Sequence, residues 1–171
     1  MKKKVVYFLI FIVIAIFQLS FIPVIFEKKA VADAVLMAIL AWSILDGFFA
    51  FLAWAIFFGL FYDIISYSVI GTHALIFLVV VYFVSFFSRR FSVEMKGFGT
   101  ILFLLFILVA TLASNATIAT IFVWKMQNFH GFWQSFGSLK TVMIQLVYNT
   151  FLFLILFMLI RKIKQFFAIE V

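Results

Sequence analysis

Cysteine is absent from this 171-residue sequence, which also has only one proline, seven glycines and 11% charged residues. The lack of cysteine excludes disulfides, thiolate metal sites and thiol catalysis. The low charge excludes an ordinary soluble domain, in which about a quarter of the residues are charged. HExxH, GxxxxGKS/T and GxSxG do not occur, and His73 and His130 have no metal-ligand partner at a suitable spacing. We therefore expect no enzyme, no cofactor and no metal site.

Apolar side chains dominate the composition, with 68% hydrophobic and 22% aromatic residues. A chain this small leaves much of its surface outside its own core, so it cannot bury so many apolar groups alone. Lipid must supply the remaining apolar surroundings, which predicts an all-α integral membrane protein with one polytopic domain, residues 1–171. Crossing roughly 30 Å of hydrocarbon requires about 20 apolar residues. Six transmembrane helices are predicted, over residues 5–26, 31–45, 48–62, 69–87, 100–124 and 141–160.

The pair Asp46-Gly47 divides one long apolar stretch into two short ones. A continuous helix from Val31 to Tyr62 would be roughly 48 Å long, too long for one crossing. Six spans with both termini cytoplasmic place most cations inside, whereas five spans reverse that bias. The inner cations would be Lys2, Lys3, Lys4, Arg89, Arg90, Lys96, Arg161, Lys162 and Lys164; Lys28, Lys29, Lys125 and Lys140 would lie outside. We interpret the net charge of +7 as topology signals and contacts with membrane lipid, not as a nucleic-acid site.

Three aspartates lie in or beside the predicted spans. Asp63 and Gly59 are four residues apart on one helix face, which Ala55 extends. Small residues at this spacing allow a neighbouring backbone to come close, and the Asp63 carboxylate could then accept a hydrogen bond from it. The alternative is that Asp63 is a helix-end residue at the membrane surface. Asp46 is interpreted as a turn residue together with the glycine that follows it, and Asp33 as a helix cap.

Polar residues also recur in the fifth and sixth spans. Nine of the eleven residues at 110–120, Asn115 among them, are small or polar, which is typical of a close helix–helix contact. In the sixth span Thr141, Gln145 and Asn149 recur every four residues. Because lipid cannot satisfy an amide, this stripe should face protein or water. The pattern favours an interhelical contact over a ligand site.

The six-span topology also assigns a depth to these polar residues. The residues that fall toward the outer half are Asp33, Asp63, Asn115, Gln145 and Asn149. We therefore expect a polar outer face or a shallow outer cavity, and a drier inner half.

The segment between the last two spans, residues 125–140, is rich in aromatic residues. Phe129, Phe132, Trp133 and Phe136 follow the i, i+3, i+4, i+7 spacing. This spacing predicts an amphipathic helix that lies on the outer membrane surface. An irregular aromatic-rich loop is the alternative, since Gly131 and the glycine at 137 disfavour a helix.

Residues 57–75 read FFGLFYDIISYSVIGTHAL and resemble the rod shape-determining protein MreD family, whose pattern is roughly GF-x-x-GLL-x-D, a short gap and LG-x-x-AL. The matching residues are Gly59, Leu60 and Asp63 in the first half and Gly71, Ala74 and Leu75 in the second. The family often opens its second span with Pro-Asp, whereas this chain has Ala32-Asp33 and so keeps only the acid. Size, basic ends and span count are similar across nearly the whole chain.

The resemblance implies a non-catalytic subunit of the bacterial elongation machinery in the cell (inner) membrane, where it supports peptidoglycan synthesis. Family members associate with MreC, and through it with MreB, RodA and a class B penicillin-binding protein. The implied fold is similar to the S component of energy-coupling-factor transporters, and Gly59, Asp63 and Gly71 would shape an outer cavity or a helix-docking surface. The alternative is a vitamin-binding S component itself. Such subunits dock their partner through a row of small residues in the first span, and this chain lacks that row.

Overall fold

The computed structural model describes residues 2–25, 32–88, 98–127 and 131–167, and every regular element in these ranges is a helix. The helices are α1 (Lys2–Ser20), α2 (Ile22–Ile25), α3 (Ala34–Asp46), α4 (Phe48–Ile65), α5 (Thr72–Ser88), α6 (Phe98–Met126), α7 (Gly131–Phe136) and α8 (Leu139–Phe166). The all-α prediction is confirmed for these residues. Several residues used in the topology and loop predictions lie outside them: Lys28, Lys29, Arg89, Arg90, Lys96, Phe129 and His130.

Each predicted span coincides with an apolar helical segment. Three segments are long and apolar enough to cross a membrane, Val5–Ile25, Gly99–Met126 and Gly131–Phe166, while α3, α4 and α5 are shorter apolar helices. The first predicted span is interrupted at Phe21, which separates α1 from α2. Pro23 explains the break, because proline lacks an N–H and its ring obstructs the carbonyl four residues earlier.

A single residue, Gly47, connects α3 to α4. Its φ of +75° is a conformation that glycine adopts without steric cost, and its N–H donates to the Ser43 carbonyl at 3.1 Å. The Trp42 and Phe58 rings lie 6.0 Å apart, although a continuous helix would separate these residues by roughly 24 Å. Helix α4 therefore folds back along α3, and the prediction of two short helices is confirmed.

Helix α3 forms the centre of the bundle. All ten residues from Ala34 to Ser43 are buried, and the helix contacts α1, α4, α5, α6 and α8. Aromatic rings fill the space between α1 and the α3–α4 hairpin, with Phe11 stacked on Phe58 at 4.1 Å and Tyr7 5.2 Å from Trp42. A helix that is apolar on every side requires apolar surroundings, and here the neighbouring helices supply them.

The helices alternate in direction, so the bundle has two ends. The Asp33 end contains the start of α3, the α4–α5 connection, the end of α6 and the start of α8; the Asp46 end contains the α3–α4 turn and the end of α8. At the Asp33 end, α7 packs against α6. It includes only residues 131–136 of the amphipathic helix predicted at 125–140. Gly137, with a φ of +95°, ends α7 after six residues.

Candidate functional site

Asp63, in the last turn of α4, organises the connection to α5. Its carboxylate is completely buried and accepts hydrogen bonds from the Gly71 N–H at 2.8 Å and the His73 N–H at 3.1 Å. The Ser68 hydroxyl donates to the same carboxylate at 2.6 Å, and the His73 Nδ1 lies 2.6 Å from it. The Asp63 carboxylate therefore accepts hydrogen bonds from backbone N–H groups at the start of α5, which have no acceptor within that helix. Through Ser68 it also holds the residues that precede α5.

Gly59 brings the same two helices into direct backbone contact. A Cβ atom at this position would lie 2.3 Å from the Ala74 Cα and 2.5 Å from the Ala74 nitrogen. Only hydrogen fits, so the neighbour that the Gly59–Asp63 spacing predicts is α5 of the same chain. Gly71, which resembles the second half of the family pattern, has a φ of +97° and forms the turn that enters α5.

The tip of this connection points away from the bundle. Tyr67 is 97% exposed and Ile70 is 72% exposed. Tyr67 has a φ of +54°, a conformation that is uncommon for a residue with a side chain. The hydrogen bonds of Asp63 hold both flanks of the tip, so we call residues 66–71 the α4–α5 corner.

Ser68, His73 and Asp63 have the composition of a hydrolytic triad but not its geometry. In a triad the acid and the nucleophile meet opposite nitrogens of the imidazole. Here both Ser68 Oγ, at 3.4 Å, and the Asp63 carboxylate approach Nδ1. The arrangement caps a helix and orients His73; it does not prepare Ser68 as a nucleophile.

A second group of polar residues surrounds the start of α3. Asp33 caps this helix by accepting a hydrogen bond from the Leu36 N–H at 2.9 Å, as its position in the sequence predicts. Gln18 of α1 accepts from the Ala34 N–H at 2.7 Å and donates to the Ala32 carbonyl at 3.1 Å. Both the oxygen and the nitrogen of the Gln18 amide thus bond to the backbone at the start of α3, which joins α3 to α1.

Asn149 of α8 joins the start of α3 to α6 and α8. Its Oδ1 accepts from the Asp33 N–H at 2.8 Å and its Nδ2 donates to the Thr111 hydroxyl at 2.9 Å. One turn away, the Asn115 Nδ2 donates to the Gln145 Oε1 at 2.8 Å. These bonds join the polar residues of α6 to those of α8, as the sequence pattern favours. Helix α3 also packs against α4 and α5, the two helices that the α4–α5 corner connects.

Replacing Asn149 with leucine is expected to lower the free energy of unfolding by about 1–3 kcal/mol. The variant loses two bonds between helices and leaves the Asp33 N–H without its acceptor. Thermal unfolding in detergent measures the effect. Thr150→Ala is the matched control, because within the described ranges the Thr150 hydroxyl bonds only to the Leu146 carbonyl of its own helix. Equal losses in both variants would contradict this role of Asn149.

The opposite end of the bundle contains a buried ion pair that corrects two predictions. The Lys164 ammonium contacts the Asp46 carboxylate, the Tyr7 hydroxyl donates to the same carboxylate, and both charged side chains are only 1% exposed. The interpretation of Asp46 as a turn residue is therefore incomplete, since its carboxylate joins α1, α3 and α8. Lys164, which the sequence analysis placed among the cations that serve as topology signals and lipid contacts, is buried in this ion pair.

The residues that sequence reasoning missed are Tyr7, Gln18, Thr111 and Lys164. Their partners are remote in the chain, up to 118 residues away for Lys164 and Asp46. Gln18 had a signal in the sequence, because an amide in the middle of an apolar helix requires a hydrogen-bond partner. Thr111 had one as well, because it lies in the small and polar segment 110–120. No group of three or more potential metal ligands occurs among the residues that the structure describes.

These observations indicate a helical membrane protein. Buried polar contacts join the helices of its apolar bundle at both ends. The family model described as rod shape-determining protein MreD matches residues 1–163 of the 171. The chain belongs to this family of shape-determining proteins, which is not a known enzyme family, and membership supports a role in the cell-shape complex. Neither a curated protein nor a solved structure matches the chain.

Proposed function

We propose that the chain is a non-catalytic membrane scaffold of the bacterial cell-shape complex that binds an MreC-like protein. Through that partner it joins MreB, RodA and a class B penicillin-binding protein, and so supports peptidoglycan synthesis along the wall. The family match over residues 1–163 carries this proposal. Contacts between helices support it: Asn115 bonds to Gln145, Asn149 bonds to the Asp33 N–H, and the Asp63 carboxylate joins the end of α4 to the start of α5.

The proposed topology has six crossings of the cell membrane with both termini in the cytoplasm. The return of α4 along α3 supports an even number of crossings, since it adds one reversal that a continuous helix would lack. In this orientation the Asp33 end faces outward. The positive-inside rule, applied to the basic segments, favours the same direction.

The proposed partner surface is the α4–α5 corner at that outer end. Gly59, Asp63 and Gly71 set its shape from within, while Asp33, Asn115, Gln145 and Asn149 fix the helices that support it. The exposed Tyr67 and Ile70 side chains are the groups available for contact. A rigid aromatic side chain loses little entropy on binding, which suits it to anchor a partner.

Co-purification with an MreC-like single-span protein tests this surface. The double variant Tyr67→Ser with Ile70→Ser is expected to retain its fold and to recover at least about ten-fold less partner, as two anchor side chains are lost. Phe166→Ser with Phe167→Ser, at the other end of the bundle, is the matched control because both side chains are exposed there. Full recovery with the first variant would exclude the corner as the partner surface. Tight binding of thiamine, riboflavin or biotin by the purified protein would instead favour the transporter alternative.

A further inference from the structure

Two hydrogen bonds set helices α6 and α8 in register. Asn149 of α8 donates to Thr111 of α6. One turn further along α6, Asn115 donates to Gln145, which lies one turn back along α8. Because the two helices run in opposite directions, each step along α6 corresponds to one step back along α8. The register therefore assigns to each residue of α6 a residue of α8 at the same depth, to within about one helix turn.

This register identifies the part of α6 that lies in hydrocarbon. Lys140 and Lys162 are both exposed and lie 22 residues apart on α8, a rise of about 33 Å. The hydrocarbon layer is about 30 Å thick, and charged side chains are stable only near its two surfaces. Lys162 is level with Phe98, the first residue of α6, and Lys140 is level with Thr120. The hydrocarbon layer therefore extends along α6 only from Phe98 to about Thr120.

Helix α6 continues beyond this layer at the Asp33 end. Its last six residues, 121–126, add about 9 Å, and the lipid headgroup layer is roughly 5–8 Å deep on each side of a bilayer. Helix α7 packs against α6 and is separated from α8 only by Gly137 and Ser138, so it lies at a similar level. We call residues 121–126 together with α7 the α6–α7 tip. The register places this tip in the headgroup layer.

The side chains of the α6–α7 tip suit that layer better than water or hydrocarbon. Trp124 is 81% exposed and Trp133 is 74% exposed. Lys125, which follows Trp124, is exposed as well. In water the two large rings would remain hydrated at a cost, and in hydrocarbon the ammonium group would be unsolvated. Tryptophan, with its apolar ring and single N–H, is enriched where hydrocarbon meets headgroups, and lysine is attracted by lipid phosphate.

We propose that the α6–α7 tip is an anchor in the lipid headgroups of the leaflet at the Asp33 end. The rings of Trp124 and Trp133 insert beside the upper acyl carbons, and Lys125 contacts phosphate. The anchor fixes the depth of α6 and, through the bonds from Asn115 and Asn149, the depth of α8. It does not depend on the proposed partner surface, because neither the α4–α5 corner nor a partner protein takes part.

Spin labels measure this depth directly, and the lack of cysteine allows each label to be placed by a single substitution. Met126→Cys and Gln134→Cys label the tip, while Val147→Cys, at an exposed position of α8, is the matched control in hydrocarbon. In phosphatidylcholine vesicles, the accessibility of each label to oxygen and to a water-soluble nickel chelate reports its depth. We expect both tip labels at the level of the phosphates. Val147 is level with Ala113, so its label should lie about 20 Å deeper than the label at Met126.

Trp124→Ser combined with Trp133→Ser tests the anchoring side chains. Both are exposed, so the fold should survive, and an unchanged depth of the Val147 label verifies this. The tip labels should shift toward water by roughly 5 Å, the depth of the headgroup layer that the tip leaves. Phe166→Ser with Phe167→Ser, at the Asp46 end, is the matched control and should leave the tip labels where they are.

Three other results would overturn the proposal. Tip labels that are as accessible to nickel as labels in bulk water would place the tip outside the membrane, and tip labels as deep as Val147 would place it in hydrocarbon. Tip labels shielded from both oxygen and nickel would indicate a protein occupant, such as a second copy of the chain. Tip labels that do not shift when Trp124 and Trp133 are replaced would show that these rings are not anchors.

Discussion

Replacing Lys164 with methionine is expected to lower the free energy of unfolding by about 3–5 kcal/mol, the cost of leaving one charge of a buried pair without its partner. Asp46 would remain buried at the α3–α4 turn beside the Tyr7 hydroxyl, without the positive charge of Lys164. Methionine is similar to lysine in length and keeps the packing. Thermal and chemical unfolding in detergent micelles measure the loss.

Two further variants isolate the charge effect at this site. Lys162→Met removes an exposed cation from the same helix turn and should change the stability by less than about 0.5 kcal/mol. Asp46→Asn combined with Lys164→Met removes both charges and should recover much of the loss, since no uncompensated charge remains. A double variant that is as unstable as Lys164→Met alone would show that the pair acts through packing instead.

The second large effect is expected at Gly59. Gly59→Ala places a methyl group 2.3 Å from the Ala74 Cα, a distance that no side-chain rotation can relieve because the obstacle is backbone. Helices α4 and α5 must separate, and we expect a loss of about 3 kcal/mol or more, at the upper end for overpacked cores. The separation should also lengthen the hydrogen bonds from Gly71 and His73 to Asp63.

Unfolding curves and amide hydrogen exchange at Gly71 and His73 check this expectation. Ala53→Val, on the exposed side of the same helix, is the control for enlarging a small residue in α4 and should have little effect. If Gly59→Ala unfolds too readily to be purified, Asp63→Asn provides the second measurement. It should accelerate exchange at the same two amides, because an amide side chain accepts fewer hydrogen bonds than a carboxylate. Unchanged exchange in that variant would contradict the role assigned to Asp63.

The parts of the structure that could be predicted from the sequence are those in which neighbours in the chain are neighbours in space. Gly59, Asp63 and Gly71 lie within thirteen residues, so helix periodicity and turn chemistry are enough to relate them. The α3–α4 hairpin was predictable for the same reason, because Gly47 alone decides whether the apolar stretch continues. The Asp33 cap is likewise a local contact with Leu36.

The parts that could not be predicted depend on which helices become neighbours. The Tyr7–Asp46–Lys164 contact joins three helices, and nothing in one apolar helix indicates the partner of another. Lys164 resembles its exposed neighbours Arg161 and Lys162 in sequence and differs only in the direction of its side chain.

Helix α3 has only thirteen residues and is about 20 Å long, shorter than the hydrocarbon layer, and its two ends are fastened to α8 by Asn149 and Lys164. During translation α8 leaves the ribosome after the other helices that the structure describes. Until it arrives, α3 has an unneutralised aspartate at one end and an unsatisfied N–H at the other. The central helix α3 therefore acquires its full set of buried polar contacts only after α8 has been inserted.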